Sequence, residues 1–241
     1  MSPLWKYALR IAAAGAALAA TSALQAFVPS VGLGAFTPGE SHAAITKTGL
    51  GIIYSELGIK SVSRSMEQAR DTIVDANADV DRNFEASSAH HCDAENINSC
   101  NEEIVKSFDA AVSSVKANNL DDARKNFGAA LHTLQDFYSH SNWIELGNTT
   151  LHPQMGRPGR VTGISPSTFN GESGNAATCI EAPYGACKRD NLVTTLLTSG
   201  YYSGQNRDRP TGKCRHGGFF DKSPGIGGIN KDMSACLGTT G

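Results

Sequence analysis

The chain has 241 residues, a formal net charge of -2 and a hydrophobic fraction of 40%. That length can bury a sizeable core in one main domain, and the near balance of charge excludes a surface built to coat nucleic acid.

Lys6 and Arg10 precede an Ala/Leu-rich run from Ile11 to Phe27, the charged and apolar regions of a secretory signal peptide. The signal is placed over residues 1–35, with cleavage after Ala26 or Ala35. The run is too short and Ala-rich for a convincing bilayer span, so an uncleaved anchor is the lesser alternative and the mature chain is read as secreted, without a transmembrane span. Residues 36–147 then read as a helical metal-binding core. Ile45, Ile52, Ile53 and Leu57 suggest a first helix, and beyond Gly58 the positions Val62, Met66, Ala69, Ile73 and Ala76 continue at helical spacing into a second. Asn101 before Glu102 and Glu103 resembles a capped start, with Ile104, Phe108, Ala111 and Val115 forming the apolar face of a third helix that breaks at Asn118-Asn119. Leu120, Ala123, Phe127, Leu131, Leu134 and Tyr138 give the apolar face of a fourth. Residues 148–241 turn to Gly, Pro, Ser, Thr and Asn, as expected of an irregular, Cys-containing extension of the same domain stapled by disulfides. The expected fold class is therefore all-α with a loop-rich tail.

Cys92, Cys100, Cys179, Cys187, Cys214 and Cys236 are an even set downstream of the signal, which suits an oxidising compartment. Short loop closure favours the sequential pairs Cys92 with Cys100, Cys179 with Cys187, and Cys214 with Cys236, although spacing alone does not decide connectivity. His90-His91-Cys92 with Cys100 could instead bind zinc, but secretion favours the disulfide.

The chemistry concentrates in the fourth helix, where His132, Asp136 and His140 recur every four residues. At about 100° per residue they stay on one face, while the 1.5 Å rise separates the two histidines by roughly 12 Å. A single ion cannot easily take all three, whereas a cluster with Asp136 as a bridge suits the geometry. Further ligand-type residues are His42 just before the first helix, Asp79 and Asp81 at the end of the second, and His91 after them. Singly each also fits a solvated helix end or an ordinary surface histidine.

Together they carry a resemblance. Ser41-His42 with Ile45-Thr46, Ala76-Asn77-Ala78, His91 with Asp93-Ala94-Glu95, and Gly128-Ala129-Ala130-Leu131-His132 running through Asp136-Phe137-Tyr138-Ser139-His140-Ser141-Asn142-Trp143 resemble the Het-C type of secreted protein. That type includes the amino-terminal region of von Willebrand factor A domain-containing proteins. Lys213-Cys214 with His216-Gly217-Gly218 and Gly228-Ile229-Asn230-Lys231-Asp232 extend the resemblance. More distantly the chain is similar to the all-α zinc-dependent phospholipase C and single-strand nuclease superfamily. That likeness implies a helical bundle of the phospholipase C type, two or three zinc ions, and His42, Asp79, His91, His132, Asp136 and His140 as ligands.

The resemblance further implies metal-assisted hydrolysis of a phospholipid or another phosphodiester, with Asp79 or Asp81 orienting or deprotonating the attacking water. Gln135, Tyr138, Ser139 and Asn142 would orient the histidines. Phe137, Tyr138 and Trp143 would contact substrate or, as aromatics at helical spacing more often do, fill the core. The chain departs from the superfamily in lacking its closing His-x-x-x-Glu pair. His152, placed before Pro153, and His216 are the candidates to replace it. Het-C type proteins continue beyond the equivalent of Asp232 into a further His-containing helix, so an early end at Gly241 could leave the third metal position incomplete. Two other readings stand beside the hydrolase: a non-catalytic secreted interaction module with structural zinc or none, and a metal-free disulfide-rich helical protein.

Overall fold

The computed structural model describes residues 41–168, 174, 176–179, 192–205, 208–217 and 229. The expected signal peptide, Cys187 and Cys236 lie outside the described residues. Four helices follow in order: α1 His42–Glu56, α2 Arg64–Phe84, α3 Ile97–Lys116 and α4 Leu120–His140. Ser41 and Ser63 cap α1 and α2, their hydroxyls accepting the amides of Ala44 and Met66 at 3.1 and 3.3 Å. Asn119 caps α4, with Asp121 and Asp122 in its first turn where the helix dipole favours anions.

The expected start of α3 is corrected. The helix begins at Ile97 with Asn96 before it, and Asn101 is buried within its second turn. Its amide donates to the carbonyls of Arg157 and Gly159 at 2.9 and 3.0 Å, and its oxygen accepts the Gly156 amide at 2.7 Å. A polar residue read as a cap instead holds a loop against the helix, which satisfies its own amide away from water.

Helix α4 is the axis of the fold, packing against α3 on one side and α2 on another, while α1 lies mainly on α2. Every residue from Ala130 to His140 is buried, as expected when a helix is enclosed on all faces. Leu134, Phe137 and Tyr138 pack with Cys92, Ile97, Cys100 and Ile104, whereas Leu131 packs with Leu50 and Ile73. Phe137 and Tyr138 are thus core aromatics.

The same core takes in Met155, Val161, Ile164 and Leu197, so the segments after α4 wrap onto the helical half. Among the described residues they form isolated bridges and no strand: Ser141 with Ser199, Ile164 with Leu197, Cys179 with Leu192, and Tyr201 with Arg215. Asn142 fixes this wrap by accepting the Thr198 amide at 2.8 Å and donating to the Leu196 carbonyl at 3.0 Å. Cys92 pairs with Cys100 as expected, which excludes a thiolate-zinc role for them. Cys179 instead pairs with Cys214, correcting the sequential pairing of both. No described helix is long and apolar enough to cross a membrane.

Gly128 marks where α4 meets α2 most closely. A methyl group there would overlap the Ile73 carbonyl oxygen and lie 2.8 Å from the Ala76 Cβ. Because backbone cannot swing aside as a side chain can, Gly128→Ala is expected to lower stability by about 2–3 kcal/mol, read by denaturant unfolding.

Candidate metal centre

Each ligand-type side chain owes its place to a local feature. Ser41 starts α1 so that His42, its first residue, turns inward. Asp81 follows Ile73 and Asn77 at four-residue steps along α2, the row that faces α4. Asp79, two residues earlier, points roughly the opposite way. It is half-exposed and ion-paired with Arg82. The structure thus separates the two carboxylates considered together, bringing Asp81 to the site and leaving Asp79 outside it.

His91 and Asp93 sit on the turn between α2 and α3, where Cys92, Ala94 and Glu95 adopt φ of 54°, 54° and 57°. That left-handed conformation is unfavourable for such residues and persists where tertiary contacts impose it. Here they are the Cys92–Cys100 bridge, the Ala94 amide donating to the Gly200 carbonyl at 2.6 Å, and the Glu95 amide donating to the Ser199 hydroxyl at 3.0 Å.

These elements converge on Asp136. Its Oδ2 lies 2.8 Å from His91 Nδ1 and 3.0 Å from His132 Nε2, and its Oδ1 lies 3.2 Å from His42 Nε2 and 3.8 Å from His140 Nε2. His132 Nε2 also stands 3.5 Å from Asp81 Oδ1 and 3.3 Å from His91 Nδ1. Two compact donor groups result, one of His42, His132 and Asp136, the other of Asp81, His91 and His132. Tetrahedral zinc with bonds of about 2.0–2.1 Å has ligand edges of roughly 3.3 Å, so the 3.0–3.5 Å spacings suit such an ion.

The hydrogen bonds behind the rings strengthen that fit. Asn77 donates its amide to Gln135 Oε1 at 3.1 Å and to the Thr46 hydroxyl at 3.3 Å, and Gln135 donates to the same hydroxyl at 3.0 Å. The two amide oxygens are thereby left as acceptors, Gln135 Oε1 for His42 Nδ1 at 2.7 Å and Asn77 Oδ1 for His132 Nδ1 at 3.2 Å. Each ring commits its Nδ1–H and presents an Nε2 lone pair to an Asp136 oxygen. A lone pair facing a buried carboxylate is repulsive unless a cation lies between them. Asp81 Oδ2, Asp93 Oδ1, Asp136 Oδ1 and His91 Nε2 are, moreover, buried without a hydrogen bond, a cost that coordination removes.

Electrostatics couple Asp136 to the rings around it. Burial raises the Asp136 carboxyl, but the His132, His140 and His42 rings outweigh it and hold the group well below the usual carboxylate range. Burial lowers His132, favouring the neutral ring that a metal requires. Burial also opposes charge on His91, yet its hydrogen bond and proximity to Asp136 carry it above the ordinary histidine value.

Of the expected orienting set, Gln135 hydrogen-bonds a histidine ring, that of His42. Tyr138 accepts the His152 amide at 3.0 Å, and Asn142 serves the C-terminal wrap. His152 packs edgewise on Trp143 and Phe137 and accepts the Gln154 and Met155 amides, so it is a structural residue. His90 stacks on Phe84 and bonds Ser87 at the surface. His140 belongs with Asp93 and His216. Asn77 and Asp93 had no assigned role in the sequence, although the Ile73, Asn77, Asp81 spacing could have revealed the first.

Residues 45–241 match the VWA7 N-terminal domain. The chain is 40% identical to human von Willebrand factor A domain-containing protein 7 over 148 residues, covering 60% of this chain and 16% of that protein. The mouse protein of that name is 37% identical over 178 residues, covering 72% and 19%. The rat protein is 45% identical over 116 residues, covering 47% and 12%. The chain therefore spans less than a fifth of the length of these relatives. No solved structure matches it. With the family match running from α1 through the C-terminal wrap that encloses the candidate metal centre, the chain belongs to the VWA7 N-terminal domain family.

Proposed function

We propose that the protein is a secreted, zinc-dependent phosphodiester hydrolase of phospholipase C-like type, related to the Het-C proteins, working through a multinuclear site. The observation that carries this reading is the buried Asp136 carboxylate, whose Oδ1 faces His42 while its Oδ2 faces His91 and His132, so that it can bridge two ions. Zinc bound there would supply the positive charge that polarises a phosphodiester and lowers the pKa of a water. Asp81 is the least enclosed donor, 28% exposed, and so is the carboxylate best able to meet a substrate and take a proton from the attacking water. Asp136 balances charge in the interior, and Asn77 and Gln135 keep His132 and His42 in one tautomer.

The near-complete burial of His42, His91, His132, Asp136 and His140 supports a second reading, a non-catalytic interaction module stabilised by structural zinc. Metal content by mass spectrometry, followed by assays with bis(p-nitrophenyl) phosphate and phosphatidylcholine vesicles, separates the two. Hydrolase function predicts two or three zinc ions, turnover of a diester, and an Asp81→Asn variant about 10²–10⁴-fold slower with unchanged helical circular dichroism. Bound zinc with no turnover of either substrate, together with loss of thermal stability on chelation, would select the structural role. Failure to retain added zinc would sink both.

A further inference from the structure

We infer that Asn148 is an acceptor for N-linked glycosylation, displayed on the turn between α4 and the C-terminal wrap. Asn148-Thr149-Thr150 is the one Asn-x-Ser/Thr triplet in the chain, and neither Thr149 nor Leu151 is a proline that would block its use. The inference is independent of the zinc centre but rests on the secreted part of the function proposed above, since only a chain that enters the secretory pathway meets the transferase. The Cys92–Cys100 and Cys179–Cys214 bridges suit the same oxidising compartment.

Local structure puts the triplet at the surface. Beyond the end of α4 at His140, the Leu146 and Gly147 amides donate to the Asn142 and Ile144 carbonyls at 3.0 and 2.9 Å, closing a further turn. Gly147 then takes a φ of 83°, the left-handed conformation that lets the chain leave such a turn. A Cβ built on it would meet nothing within 4 Å beyond its chain neighbours, so the turn faces open space. Asn148 is half-buried, while Thr149 and Thr150, whose hydroxyl the transferase reads, are exposed. A bulky, hydrated glycan requires such a surface. Asn98-Ser99-Cys100, the nearest alternative triplet, fails on both counts: Cys100 is bridged to Cys92, and Asn98 Nδ2 is buried while its Oδ1 accepts the Val161 amide at 2.9 Å.

The turn can carry sugar without rearrangement. Asn148 Nδ2 donates to the Trp143 carbonyl at 3.0 Å, and the Trp143 indole N–H donates to the Thr150 carbonyl at 2.8 Å, so Trp143 pins both ends of the triplet. A carboxamide has two N–H groups, and glycosylation replaces one, leaving the other for Trp143. In the transfer, the Asn148 amide nitrogen attacks the anomeric carbon of the N-acetylglucosamine that heads a lipid diphosphate-linked oligosaccharide. The nitrogen–carbon bond forms as the carbon–oxygen bond to the diphosphate breaks. The amide gives one proton to a base of the transferase, and the lipid diphosphate leaves with the electron pair.

The full chain with its own leader, produced in a eukaryotic secretory host, tests the site by intact mass and peptide mapping of cells and medium, before and after peptide N-glycosidase. The expected result is an upward mass shift on the peptide that contains Asn148, removed by the glycosidase with aspartate left in its place. Asn148→Gln and Thr150→Ala should lose the shift and Thr150→Ser should keep it, a pattern that follows the triplet rather than the packing of the turn. Because cell-retained material is read as well, a variant that folds poorly still reports. A parent chain that has lost its leader yet shows no shift, or a shift that survives Asn148→Gln, would overturn this inference alone. A parent chain that stays in the cell with its leader intact and no sugar would overturn it together with the secreted reading.

Discussion

On the proposed zinc hydrolase reading, conversion of Asp136 to Asn is expected to empty the donor groups on either side of its carboxylate and to abolish diester turnover while leaving the helices in place. Both carboxylate oxygens face histidine nitrogens, at 2.8 and 3.0 Å on one side and 3.2 Å on the other, so one substitution removes the anion common to every ring. An amide of the same shape keeps the packing of α4 and can hydrogen-bond the rings, which is why the fold should survive. The loss in kcat/KM should exceed about 10³-fold, equivalent to roughly 4 kcal/mol of barrier. Zinc content should fall in parallel while helical circular dichroism is retained. Full zinc binding and parental turnover in the variant would show that Asp136 is only a structural acceptor. Collapse of the helical signal with the metal would instead favour structural zinc.

Replacing Lys213 with Met is expected to be the most destabilising single change away from the candidate metal centre. Glu95 and Lys213 are fully buried, with Nζ 2.9 and 3.0 Å from the two carboxylate oxygens. The Thr198 and Tyr201 hydroxyls also donate to Glu95, at 2.7 and 3.2 Å. Removing the ammonium leaves a carboxylate sealed from water with two neutral donors, a loss of about 3–5 kcal/mol. In a domain of this size the thermal midpoint should fall on the order of 10 °C, measured on the chelated protein to keep zinc out of the comparison. Adding Glu95→Gln to the Lys213→Met background removes the stranded charge and should recover part of the loss. Equal instability of single and double variants would place the effect in lost packing.

Much of the helical half was legible because its signals are local. Helix α4 announced itself through an apolar face and a His132, Asp136, His140 row that share one period, and the break expected at Asn118-Asn119 does separate α3 from α4. What the sequence hid is set by contacts across the fold. Asp79 and Asp81 are equivalent as residue types, and the choice between them rests on which side of α2 meets α4. Asn101 has a capping residue's chemistry, but its partners are carbonyls more than fifty positions away. Cys179 skips to Cys214, 35 residues on, because closing a longer loop costs only slightly more entropy and the wrap brings those two together. His216 emerged as a candidate only through a missing motif, and Asp93 gains meaning only once the turn beyond His91 is seen against α4.

The closing contacts span long stretches of chain, His42 reaching Gln135 across 93 positions and Glu95 reaching Lys213 across 118. Helices can form early from neighbouring residues, but the turn carrying His91 and Asp93 gains the amide bonds of Ala94 and Glu95 only when the segment near Gly200 arrives. The full donor set is therefore assembled last, and an ion that requires it would be captured only by molecules whose two halves have already joined. On the proposed zinc reading, metal uptake would then report that the two halves of the chain have joined.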